Sequence, residues 1–238
     1  MTDEPKQGLL RGIFTLVLFV AAFLAADWAA GMAVQRFEIP ALSASVVGQV
    51  AMLLVGLLFT LLDGQGLKGM GLTARWEGQD LLLIGGLMGI HIGGSIVVAI
   101  ITLIANGGQN PETAATQLFS LFGDMEPLSF LGLGFLLAAL AGIGEELIFR
   151  GYLITRLERT GMPVWLAVLL PGLAFGLLHA PGYGIVPALS KALFFGIPTG
   201  AYFVYRRKLA PLMLMHFLID FGGFMMLYLV LRFAPNAI

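Results

Sequence analysis

Long apolar runs separated by short polar connections set the pattern of this chain. Seven runs reach the ~20 residues that a helix needs to cross a bilayer. They fall at 12–34, 41–62, 80–105, 127–150, 163–182, 184–205 and 209–232. The pattern predicts an all-α fold, a polytopic transmembrane helical bundle of about seven membrane-spanning helices. The first run has too long an apolar core for a signal peptide, and six more follow it. It is therefore expected to be retained.

Composition sharpens this reading. Of 238 residues, 58% are hydrophobic and 11% charged, against roughly a quarter charged in soluble domains. The connections are too short to hold a soluble domain. Lys6, Arg11, Lys68, Arg75, Arg156, Arg159, Arg206, Arg207 and Lys208 fall on one side of the predicted bundle, and only Arg36 and Arg232 on the other. The positive-inside rule then places the N-terminus in the cytoplasm. The expected location is the bacterial plasma (inner) membrane. A net charge of −1 with no basic face argues against a nucleic-acid partner, and the absence of cysteine excludes a thiolate nucleophile and any disulfide. The long outer connection "NGGQNPETAATQLFSLFGDMEP" carries no Lys or Arg and suggests a short amphipathic turn around Leu118 to Phe122.

Glycine spacing predicts packing. Gly85, Gly89 and Gly93 recur every four residues in the third run, and Gly196 and Gly200 repeat the interval in the sixth. Bare faces of this kind let helix backbones approach closely in lipid. His91, amid the first of these faces, is read as a packing residue.

Polar residues inside apolar runs are costly and mark functional candidates. Three groups stand in the second half: "EELIFR" with Glu145, Glu146 and Arg150; "FGLLH" with Phe175 and His179; "HFLID" with His216 and Asp220. Members four residues apart share a helix face. Arg150 is thus expected to neutralise Glu146, leaving Glu145, about 100° round the helix, to face something else. At ~1.5 Å per residue from the cytoplasmic ends, His216 lies shallowest, Glu145 roughly 20 Å in and His179 roughly 24 Å in. Convergence of the set calls for tilt, or for a kink at Pro171.

A carboxylate and an imidazole meeting in a water-accessible pocket can activate a water, and a second imidazole can donate to the developing oxyanion. The same four residues, Glu145, His179, His216 and Asp220, also offer the nitrogen and oxygen ligands that zinc accepts. Neither HExxH nor GxSxG occurs.

Taken in order on separate runs, "EELIFR", "FGLLH" and "HFLID" resemble the three motifs of the CPBP intramembrane protease family. That family includes CAAX prenyl endopeptidases and bacteriocin-processing or bacteriocin-immunity proteins. The resemblance divides the chain into N-terminal membrane spans and loops over 1–126 and a catalytic helical core over 127–232. It implies hydrolysis of a membrane-associated peptide or protein, with Glu145 as general base, His179 sharing its water, and His216 and Asp220 on the oxyanion side. Glu146, Arg150 and Phe175 would support the site. It implies no required cofactor, with zinc as the metal alternative. Prenyl-processing members carry Asn where this chain has Asp220. An ionised Asp cannot donate to an oxyanion, so Asp220 is expected to orient His216, to stay protonated or to ligate a metal.

Two rival readings use the same residues. A proton-coupled transporter would also bury Glu, His and Asp, but should show paired broken helices in both halves. A non-catalytic peptide-binding or immunity protein would not need Glu145 and His179.

Overall fold

The computed structural model describes residues 9–37, 41–62, 64, 66, 68–72, 75–107 and 125–233. The turn expected around Leu118 to Phe122 lies outside the described residues. The described elements are helical, with no strand among them. They are α1 (Leu9–Arg36), α2 (Ala41–Leu62), α3 (Gly78–Ala105), α4 (Pro127–Arg159), α5 (Val164–Leu177), α6 (Ala180–Tyr183), α7 (Ile185–Lys191), α8 (Ile197–Arg206) and α9 (Ala210–Phe233). Four stretches are long and apolar enough to cross a membrane: Ser45–Leu62, Gly78–Ala105, Pro127–Arg159 and Ala210–Val230. The protein is an integral membrane helical bundle.

The fifth and sixth predicted runs are the ones the structure breaks up. Helix α5 has 14 residues, about 21 Å at 1.5 Å per residue, short of the ~30 Å hydrocarbon core. It contains Pro171 and stops at Leu177, so His179 stands in the turn beyond it. Gly184 then takes a φ of 84° and starts α7. Between α7 and α8, Ala192–Gly196 forms a π-helical turn. Pro198 has no N–H for the Phe194 carbonyl, which removes one α-type bond there. A second π-helical stretch, Leu147–Ile154, lies inside α4 directly after Glu146. Such wide turns recur at functional sites.

Helices α4 and α9 run antiparallel in close contact. A Cβ on Gly134 would meet Phe224 at 3.0 Å, and one on Gly142 would meet the Met213 carbonyl at 2.9 Å and the Phe217 nitrogen at 3.0 Å. Gly196 lies on the backbone of Gly172, and Gly200 on Val168 and Ile154, so the sixth-run glycines pack as expected. The third-run stripe does not. Among the described residues nothing lies within 4 Å of a Cβ placed on Gly85, Gly89 or Gly93. Only Gly94, beside that stripe, meets a ring, that of Phe194. Phe19, Phe59 and Tyr152 join α1, α2 and α4 through ring contacts of 5.3 to 6.0 Å.

One end of the bundle is tied by a charge knot. Fully buried Asp80 accepts from Arg206 Nε at 2.8 Å, Lys208 Nζ at 2.8 Å, the Tyr202 hydroxyl at 3.1 Å and the Glu77 N–H at 2.9 Å. Arg207 grips Glu158 with two bonds of 2.6 Å. Hydrogen bonds from Arg206 and Lys208 hold the Glu77 carboxyl below its ordinary range. The bond to Asp80 raises Lys208 above its own. The start of α3, the end of α4 and the α8–α9 connection thus share one end, as an alternating topology requires. A reporter fused after Arg207 should therefore read cytoplasmic and one after Gly107 external. The opposite result at either position breaks the orientation.

Candidate active site

Glu145, Glu146, Arg150 and His216 are 6, 0, 1 and 4% exposed, so these polar groups face protein rather than lipid. Glu146 occupies the centre. Its Oε1 accepts from Arg150 at 3.1 Å and from His216 Nδ1 at 2.8 Å. A carboxylate only accepts, which places a proton on Nδ1. Arg150 uses its other nitrogen on the Thr199 hydroxyl at 2.5 Å and the Gly196 carbonyl at 3.4 Å. Thr199 donates its own hydrogen bond to the Phe195 carbonyl at 2.7 Å. The Arg150 guanidinium also lies 4.6 Å from the centroid of the Phe175 ring, a cation–π placement. The expected Glu146–Arg150 pairing is therefore present, and it is anchored on α8 as well.

Glu145 faces elsewhere, as expected. Its Oε2 stands 3.7 Å from His216 Nε2, and its Oε1 accepts from Gln49 of α2 at 3.4 Å. Asp220 Oδ2 lies 3.5 Å from the same His216 Nε2. His216 thus has Glu146 on one nitrogen and Glu145 and Asp220 on the other, while Phe195 closes its ring face at 4.7 Å.

His179 joins through Phe175 instead of through Glu145. The two rings are 4.9 Å apart, and Phe175 is 6.0 Å from His216. His179 Nδ1 bonds the Phe175 carbonyl at 2.7 Å. A carbonyl can only accept, so Nδ1 carries the proton and Nε2 is left as the basic nitrogen. His91 packs edge-on to Phe195 at 5.2 Å, with its Nδ1 buried and unbonded.

Zinc needs about four ligands around one point. Among the described residues no three His, Asp or Glu side chains form a group that could hold a metal ion.

Sequence reasoning missed Gln49, Thr199 and Phe195. Gln49 carried a usable signal, an amide in the apolar run of α2. Thr199 and Phe195 carried none, since both residue types are at home in membrane helices. Gly142 offers a direct check of the site's dependence on helix spacing. Gly142→Ala should wedge α4 from α9, lowering the melting temperature in detergent by an overpacking cost of about 1–3 kcal/mol. It should also reduce turnover, because Met213 and Phe217 flank His216.

The described residues thus form an all-α membrane bundle with carboxylates, an imidazole and an arginine buried together in its second half. Residues 127–222 match the family model of the Rce1-like type II CAAX prenyl endopeptidases, which is consistent with a CPBP intramembrane protease over that segment. The match spans Glu145, Glu146, Arg150, Phe175, His179, His216 and Asp220. No curated protein and no solved structure matches the chain significantly. The family is one of proteases, which supports a peptidase whose substrate is a peptide or protein in a lipid bilayer.

Proposed function

We propose that this protein is an intramembrane endopeptidase that cleaves a membrane-associated protein or peptide, with a water activated by Glu145 and His179. One observation carries the reading: Arg150 and His216 Nδ1 both bond Glu146, while Glu145 has no cationic hydrogen-bond partner and stands with Oε2 beside His216 Nε2. One carboxylate is neutralised and structural, and the other is held as a base.

In this mechanism Glu145 Oε2 takes a proton from the water as its oxygen bonds the peptide carbonyl carbon. The basic Nε2 of His179 orients the same water. For its part His216 must carry a proton on Nε2 as well, between Glu145 and Asp220 at 3.7 and 3.5 Å, and it donates that N–H to the oxyanion. Asp220 orients His216, which accounts for an acid in place of the Asn of the prenyl-processing proteins. As the C–N bond breaks, the proton on Glu145 passes to the leaving amine.

The site is reached from the cytoplasmic side in this reading, and the membrane is the bacterial inner membrane. Membrane proteomes of cells carrying the wild-type or the Glu145→Ala protein provide the test. A longer precursor should accumulate with the variant. Identical proteomes under conditions of expression would overturn the reading.

A further inference from the structure

Gln49 lies on α2, outside the segment that matches the protease family, yet it touches the candidate base. Helix α2 comes close to α4 there because small residues line the contact. A Cβ on Gly56 would overlap Ile148, and one on Gly144 would already touch Met52 and Leu53 at 3.7 Å. The side chains of those neighbours are apolar, and an amide among them is costly unless hydrogen-bonded. Gln49 meets that need on one side only. Its Nε2 donates to Glu145 Oε1 at 3.4 Å, while its Oε1 is buried and makes no hydrogen bond. The other oxygen of Glu145, Oε2, is in the same condition.

An amide presents a donor and an acceptor on one rotatable group. A general base alternates between a carboxylate, which only accepts, and a carboxylic acid, which also donates. Few side chains serve both states from one position, and glutamine is one. Resting on the reading of Glu145 as the base, we propose that Gln49 is a positioning residue for it. Its N–H fixes Oε1 of the carboxylate and so aims Oε2 at the reacting water and His216. After Glu145 has taken the water's proton on Oε2, the amide N–H stays on Oε1, and the buried, otherwise unbonded Gln49 oxygen is the acceptor toward which the new O–H turns. The proton stays on Glu145 until the leaving amine takes it.

The test uses the full-length protein in proteoliposomes with an internally quenched prenylated CAAX-type peptide as the probe. Gln49→Met keeps the length of the side chain and removes both hydrogen-bonding functions. Turnover per folded molecule should drop about tenfold, the rate equivalent of one lost hydrogen bond. KM should stay within about twofold and the melting temperature should be unchanged, because no substrate contact and no core packing is lost. Gln49→Asn keeps an amide in the helix but draws it back by one methylene, and should show the same loss. Infrared difference spectra supply a readout that needs no substrate. The Glu145 carboxylate band, assigned by its disappearance in Glu145→Gln, should move in Gln49→Met. Wild-type kcat in folded Gln49→Met, or an unmoved band, overturns the proposal. Retained turnover in Glu145→Gln strikes instead at the reading of the base, and the band shift still decides whether the amide holds that carboxylate.

Discussion

Arg150→Ala is expected to destabilise the folded protein by roughly 3–5 kcal/mol, the range for removing one partner of a buried ion pair. Arg150 and Glu146 are 1 and 0% exposed, so water cannot replace the missing guanidinium. Its removal strands the Glu146 charge, takes the donor from Thr199 and the Gly196 carbonyl, and strips the cation from the Phe175 ring. Arg150→Lys should recover only part of the loss, because a point charge cannot bridge α4 and α8 as a fork does. Arg150→Met with Glu146→Gln should be less damaging than Arg150→Ala alone, since no unpaired charge is left behind. Thermal unfolding in detergent and the yield of folded protein measure all three. Normal stability of Arg150→Ala and Arg150→Lys would show that the pair is not structural.

How much of this was legible in the sequence depends on how local each feature is. Helix α2 coincides with the run 41–62, and α3 and α9 depart by one or two residues from 80–105 and 209–232. Hydropathy over about twenty residues reports composition, and composition sufficed there. It could not reveal the stop at Leu177, the reversal at Gly184 or the two π-helical turns, because these depend on backbone bonds between particular residues. Nor could it show that His179 stands in a turn beyond α5 and not within a helix running to residue 182.

The site divides along the same line. Glu146 with Arg150 and His216 with Asp220 are four residues apart, and helix geometry alone brings them together. The bond from His216 to Glu146 spans 70 positions and the one from Gln49 to Glu145 spans 96. No spacing rule reaches that far. The three motifs named the first of these partners because they travel together; Gln49 has no motif and came only from the packing of α2 on α4. The glycine stripe is the converse case. Small residues at 85, 89 and 93 announce a bare face, but a bare face does not specify its neighbour, and none of the described residues lies there.

Glu145→Gln should abolish cleavage while leaving the fold intact, with a loss of about 10²–10⁴ in rate as expected for a missing general base. The substitution keeps shape and volume, and its amide can still meet Gln49, so the packing of α2 on α4 is preserved. What is lost is the ability of Oε2 to take a proton. Glu146→Gln is the contrasting control. Glu146 is the acceptor for both Arg150 and His216, so its neutral isostere should mainly lower stability and leave measurable turnover in whatever protein folds. The two glutamates are adjacent in sequence, and only their partners distinguish them. The same cleavage assay addresses the metal. A site run by Glu145, His179 and His216 should ignore chelators, whereas loss of activity in chelator with recovery on added zinc would require a donor set these side chains do not form. Full activity of purified, folded Glu145→Gln protein on a peptide that the wild type cleaves would remove Glu145 as the base. The buried unbonded oxygen beside His216 would then need another explanation.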